Sequence, residues 1–119
     1  MSEKRSGKKG YIPERGDIVW LTFNPRIGRE HSGKRPAIVL SPKEYNGKVG
    51  LAIFCPVTSS VKGYPFEVKI NIKNKVEGVI LTDQLKSLDW REREAEFIAE
   101  ADEDTLSDVI QKVSLLITR

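Results

Sequence analysis

The chain has 119 residues and a mass of 13.4 kDa, with 39% hydrophobic and 31% charged residues. This fits one domain with a modest core and excludes a disordered or multidomain chain. The single cysteine, Cys55, excludes an intrachain disulfide framework and a cysteine-rich zinc site, and no apolar run approaches a membrane span. The formal net charge of +3 is uneven. Four basic residues stand against one acidic residue in 1–10, twelve against eight in 11–90, and four against eight in 91–119. A mildly basic body therefore precedes an acidic end, and nucleic acid is a permitted partner.

Residues 1–10 (MSEKRSGKKG) read as a disordered basic arm, and the Tyr-Ile-Pro-Glu that follows is not a secretory h-region. The expectation is a cytoplasmic protein with one domain over 11–119. Strand-like runs rich in β-branched and aromatic residues then succeed one another: 17–24 (DIVWLTFN), 35–41 (RPAIVLS), 50–58 (GLAIFCPVT), 66–72 (FEVKINI), 78–82 (GVILT) and 95–99 (AEFIA). AIVL and LAIFC are continuously apolar and belong inside, whereas FEVKINI alternates and keeps one face wet. A helical turn after Ser41-Pro42 is expected to end at Asn46-Gly47. At the end of the chain the period changes. Leu106, Val109, Ile110, Val113, Leu116 and Ile117 form one helical stripe, with Asp102 as N-cap, Glu103 and Asp104 in the first turn, and Arg119 at the far end. Many short strands followed by a helix predict a mainly β fold, a small barrel or sandwich with a C-terminal helix.

The chemistry is narrowed by what the sequence lacks. One histidine, His31, excludes a two-histidine acid–base pair within the chain. There is no nucleophile elbow and no phosphate-binding glycine loop, and the strands supply few carboxylates for a metal. The informative stretch is 24–35 (NPRIGREHSGKR), where Arg26, Arg29, His31, Lys34 and Arg35 surround one acid, Glu30. It reads either as an anion-binding lid or as a charged loop. Arg35 stands apart because a buried strand follows it at once, which would hold its fork rigidly. A second polar cluster, Thr58, Ser59 and Ser60, ends the long apolar strand and could donate to phosphate oxygens or cap a turn. A third, 83–87 (DQLKS), places Gln84 and Lys86 where they could read base edges or merely link strands. Phe23 and Tyr64, beside loops, are the base-stacking candidates, while Trp20 and Trp90 are expected in the core or an interface.

Four blocks carry a family resemblance: GDIVW, RPAIVLSP, PVTSS-x-KGYPFEV and DQLKS, in order over residues 11–90. In them the chain resembles the MazF/PemK family of toxin endoribonucleases. The resemblance implies an SH3-like, partly open β-barrel with a C-terminal helix, working as a homodimer without cofactor or metal. It implies cleavage of single-stranded RNA (mRNA) at a short sequence, and a cognate MazE-like antitoxin whose acidic C-terminal segment blocks the site. The family's GxRP arginine falls on Arg35, its threonine on Thr58 and its loop glutamate on Glu30, which makes these three the catalytic candidates. Phe23, Arg29, His31, Lys34, Ser59, Gln84 and Lys86 are the substrate-binding candidates. Lys34 and His31 stand where other members often carry His and Gln.

The expected reaction is RNA's own. The 2′-OH attacks the adjacent phosphorus and expels the 5′-oxygen, leaving a 2′,3′-cyclic phosphate and a 5′-hydroxyl, while the protein aligns the attack and stabilises charge. Arginine is too weak a base to take the proton, so Arg35 is assigned to transition-state charge, with Glu30 as the leading base. Two rivals share the barrel. A CcdB-like topoisomerase poison would carry a terminal Trp-Gly-Ile pattern where this chain has Leu-Leu-Ile-Thr-Arg, and a plain RNA-binding barrel would not need Arg35 and Thr58 together.

Overall fold

The computed structural model describes residues 10–22 and 33–118. Seven strands and two helices follow one another: β1 (Asp17–Thr22), β2 (Lys34–Val39), α1 (Lys43–Val49), β3 (Leu51–Thr58), β4 (Glu67–Ile72), β5 (Val76–Leu81), β6 (Lys86–Asp89), β7 (Glu96–Glu100) and α2 (Glu103–Ile117). Every strand pairing is antiparallel. The order is β4-β5-β3-β2-β1-β7, with β6 also on β3. β3 is the shared strand. Its first half pairs β6 from Leu51↔Asp89 to Phe54↔Lys86, and its last two residues pair β5 at Val57↔Ile80 and Thr58↔Val79. One strand thus serves two sheets, which fold over each other as a half-open barrel.

The continuous apolar runs have a cause in this arrangement. Ile18, Ile38, Cys55, Val57, Val68, Ile70 and Ile80 face one core, closed by Val109 and Val113 of α2. Val19, Leu21, Ala37, Val39, Phe54 and Trp90 face a second core on the other side of the same sheet. Strands covered on both faces leave no position for an alternating polar residue. β4 does alternate, with Val68 and Ile70 buried and Lys69 and Asn71 exposed, as its sequence predicts.

Two elements differ most from the sequence expectation. α1 does not stop at Asn46-Gly47 but runs to Val49 and ends at Gly50, whose φ of 87° is the left-handed geometry that glycine adopts without strain. Asn46 is a buried hub, not a terminator. Its amide nitrogen donates to Pro13 O (2.8 Å) and Ser41 O (3.0 Å), its side-chain oxygen accepts from Ser41 Oγ (2.6 Å), and its backbone carbonyl accepts from Trp90 Nε1 (3.0 Å). β6 is a strand where a polar link was expected, because only Leu88 of its four residues turns inward. Of the first expected strand, 17–22 is present, and residues 23 and 24 lie outside the described residues, as do 1–9 of the basic arm. Arg119, expected to close α2, also lies outside them. Asp102 caps α2 as expected, accepting from Thr105 N at 2.8 Å.

Candidate active site

β2 and β3 place Arg35 and Thr58 against each other. Their register pairs Ala37 with Pro56 and Ile38 with Cys55. Carried two residues further, it sets Arg35 across from Thr58 at the same end of the sheet. Both line an open cavity of about 380 Å³ with Trp20, Lys34, Ser59, Lys75 and Glu77. Both also line an adjoining cavity of about 290 Å³ with Pro56, Leu81, Gln84 and Lys86. The fold therefore gathers Arg35, Thr58, Lys34, Ser59, Gln84 and Lys86 into one groove. Phe23, Arg29, Glu30 and His31 lie outside the described residues.

The two central side chains are prepared differently. Arg35 emerges from a strand whose next residues, Ala37, Ile38 and Val39, are fully buried, so its base is rigid while its fork reaches the groove. Among the described residues no acceptor engages that fork. Thr58 Oγ1 accepts a hydrogen bond from Ser60 N at 3.1 Å, which turns its lone pair toward the chain and leaves its O–H free to donate outward. The Thr58 backbone is fixed from behind by Gly78. A Cβ there would lie 2.2 Å from the Thr58 carbonyl oxygen, and the φ of 151° is one that side chains rarely adopt. Lys34 has a partner, Glu96, at 3.5 Å, with both side chains well exposed. Such a pair is weak and leaves the ammonium available to the groove.

Sequence reasoning missed three parts of this site. Trp20, expected in the core or an interface, is 36% exposed and forms a wall of the larger cavity, while Trp90 is buried as expected. Lys75 and Glu77 arrive from the β4–β5 hairpin, whose position beside Thr58 follows only from β3 pairing with β5. The one thiol is not available for chemistry. Burial, reinforced by the negative charge of Asp83, pushes the Cys55 thiol up to about 12, so it is protonated near neutral pH. Among the described residues no group of three or more His, Cys, Asp or Glu converges to hold a metal ion, and no helix is long and apolar enough to cross a membrane.

Relatives carry the same architecture. The chain is 42% identical over 107 residues to the endoribonuclease toxin MazF of Escherichia coli K12, covering 90% of this chain and 96% of that protein. The MazF of a MazE–MazF crystal structure from Deinococcus radiodurans superposes with a TM-score of 0.81 at 50% identity, covering 90% of this chain and 96% of that one. A mycobacterial endoribonuclease solved with its cognate antitoxin retains the fold at 15% identity, with a TM-score of 0.71 over 90% of this chain and 98% of that one. The half-open barrel with a C-terminal helix is thus the expected one. A sequence profile of the PemK-like, MazF-like toxins of type II toxin–antitoxin systems matches residues 14–117, and the chain belongs to that family.

Proposed function

We propose that this toxin is a sequence-specific endoribonuclease that cuts single-stranded mRNA without a metal, through attack of the 2′-OH on its own phosphodiester. The observation that carries the reading is the pairing of an unengaged arginine fork with an outward-facing threonine hydroxyl across one basic groove. In this mechanism the scissile phosphate lies between Arg35 and Thr58. Arg35 holds two non-bridging oxygens in its planar fork, and Thr58 donates to the phosphate as the fifth oxygen closes on phosphorus. Two fixed donors hold the 2′-oxygen in line with the departing 5′-oxygen, and their hydrogen bonds strengthen as charge builds on the phosphorane. Glu30 is assigned to take the 2′-OH proton. The leaving 5′-oxygen takes a proton from solvent water as the bond breaks, and Glu30 returns its proton to solvent, so the products are a 2′,3′-cyclic phosphate and a 5′-hydroxyl. Lys34, Lys86 and Arg29 guide the neighbouring phosphates, and Ser59, Gln84, His31 and Phe23 contact sugars and bases.

The same reading assigns residues 11–119 to one toxin domain that works as a homodimer in the cytoplasm. There a MazE-like antitoxin lays an acidic C-terminal segment along the basic groove. The dimer is supported by Leu115, Leu116 and Ile117, which stand exposed on the last turns of α2. Relatives solved as MazE–MazF complexes support the antitoxin. The test is incubation of the purified chain with RNA in excess EDTA, followed by end analysis of the fragments. Cleavage should persist, with cyclic phosphate at the new 3′ ends. A 2′-deoxy nucleotide at the cut position should leave that RNA bound and intact. Cleavage of the deoxy substrate would overturn the mechanism, and RNA binding without turnover would leave a plain RNA-binding barrel.

A further inference from the structure

A third depression, of about 200 Å³, opens from the same strand end, and Thr58 lines it as it lines both cavities that hold Arg35. Tyr64, 62% exposed, stands on its wall with Phe66 and Leu81, and the polar edge holds Asp83, Glu67 and Gln84 with one cation, Lys62. The loop that carries Tyr64 is tied down along its length. The Glu67 carboxylate accepts from Lys62 N (3.1 Å) and Gly63 N (2.9 Å), and Tyr64 O accepts from Glu67 N (3.1 Å). Pro65 O accepts from Lys112 Nζ of α2 (2.9 Å), and Phe66 O accepts from Thr82 Oγ1 (2.6 Å). The pocket is therefore preorganised, and its size admits a nucleobase.

Asp83 decides what fits. A carboxylate is an acceptor only, and the Asp83 carboxylate accepts no hydrogen bond from another described residue. With Glu67 it gives the depression two carboxylates against the single ammonium of Lys62, a balance that disfavours a phosphate and equally the acidic side chains of an inhibitory peptide. It favours a neutral ligand with a flat apolar face for Tyr64 and an N–H donor at its edge. Nucleobases have both. Adenine, cytosine and guanine present an exocyclic amine to such an acceptor, whereas uracil flanks its single N–H with two carbonyl oxygens. We propose that the pocket between Tyr64 and Asp83 holds the base of a nucleotide adjoining the cut phosphate and selects an amino-bearing base over uracil there. The proposal rests on the RNA-cleavage reading and adds to it residues that fix sequence preference.

The test is equilibrium selection of a random, fully 2′-fluoro RNA library, which lacks the nucleophile, by the full-length wild type, Asp83→Asn and Tyr64→Ala. Cleavage-site sequencing on natural RNA runs in parallel. Wild type should favour amino-bearing bases over uracil about ten-fold at one position. Asp83→Asn, which donates as well as accepts, should level that position and leave the others unchanged. Tyr64→Ala should weaken binding about ten-fold through the same position. Both side chains are exposed, so the midpoint of thermal unfolding should not move. Identical selection by wild type and Asp83→Asn, or losses spread over every position, overturns the pocket. So does an effect confined to binding of an acidic peptide. Selective binding without cleavage supports the pocket and removes the nuclease reading, and cleavage with Asp83-independent selection does the reverse. An absence of RNA binding by wild type overturns both.

Discussion

On the proposed mechanism Arg35 is a donor whose backbone a strand sets in place. Its Cα is paired with Leu21, and Ala37, Ile38 and Val39 beyond it are buried, so less backbone entropy is lost when the fork meets a phosphate. Arg35→Ala should lower the cleavage rate about 100- to 1,000-fold, the usual cost of removing one preorganised donor, while the thermal midpoint stays in place because no described residue depends on the guanidinium. Arg35→Lys should fail nearly as badly, since an ammonium offers no bidentate grip. Single-turnover rates with matched unfolding curves check both. Gly78 is the complementary case. A Cβ placed 2.2 Å from the Thr58 carbonyl forces the end of β3 to shift, so Gly78→Ala should cost about 1–3 kcal/mol of stability and displace the Thr58 hydroxyl. Its loss of cleavage should persist at temperatures where the variant is fully folded, which a rate measured well below the unfolding midpoint would show. Arg35 stood out in the sequence because it marks the edge of an apolar run, whereas Thr58 was singled out only through the family blocks, its own spacing fitting a turn cap equally well. Trp20 was not legible, since DIVWLT packs both faces and nothing in the string marks where cover ends; Gly78's role arises from a strand pairing across 20 residues.

At the level of elements, β1 to β5 and β7 could be read because both-face burial produces unbroken β-branched runs and one-face burial produces alternation. β6 is only four residues long and is held by pairing to β3, not by its own composition. α1 outran its apparent stop because Asn46, a residue that favours turns when its side chain is free, here spends that side chain on Pro13 and Ser41. α2 is the element whose sequence signal was complete, and its cap provides a pH test. Hydrogen bonds from the side chain and backbone of Thr105 hold the Asp102 carboxyl below the usual aspartate range. A carboxylate with a depressed pKa in the folded state stabilises above its unfolded pKa and loses that contribution as pH falls through the folded value. Asp102→Ala should therefore lower the thermal midpoint at neutral pH, and the gap between variant and wild type should narrow only below the ordinary aspartate range. A gap that is independent of pH would mean that the carboxylate is not the stabilising group.

Across the whole molecule, α2 is buried only along one side of its middle and stands exposed over its last turn. Val109 and Val113 close the first core, whereas Leu115 and Ile117 are 69% and 72% exposed beside the partly exposed Leu116 and Ile110. Exposed aliphatic side chains gathered at one helix end are the kind of surface that a partner covers. A second copy is the occupant that the homodimer reading supplies. In a two-fold contact each helix end would cover the other, so a single substitution is felt twice. Leu115→Glu combined with Ile117→Glu should then convert a particle of about twice 13.4 kDa into one of about 13.4 kDa in sedimentation equilibrium. The folded domain should survive, because neither side chain contributes to a core. If the RNA groove continues from one protomer to the next, cleavage should fall with the dimer fraction and recover as protein concentration is raised. Full activity in a strictly monomeric variant would instead confine catalysis to one chain and leave this apolar end of α2 for the antitoxin.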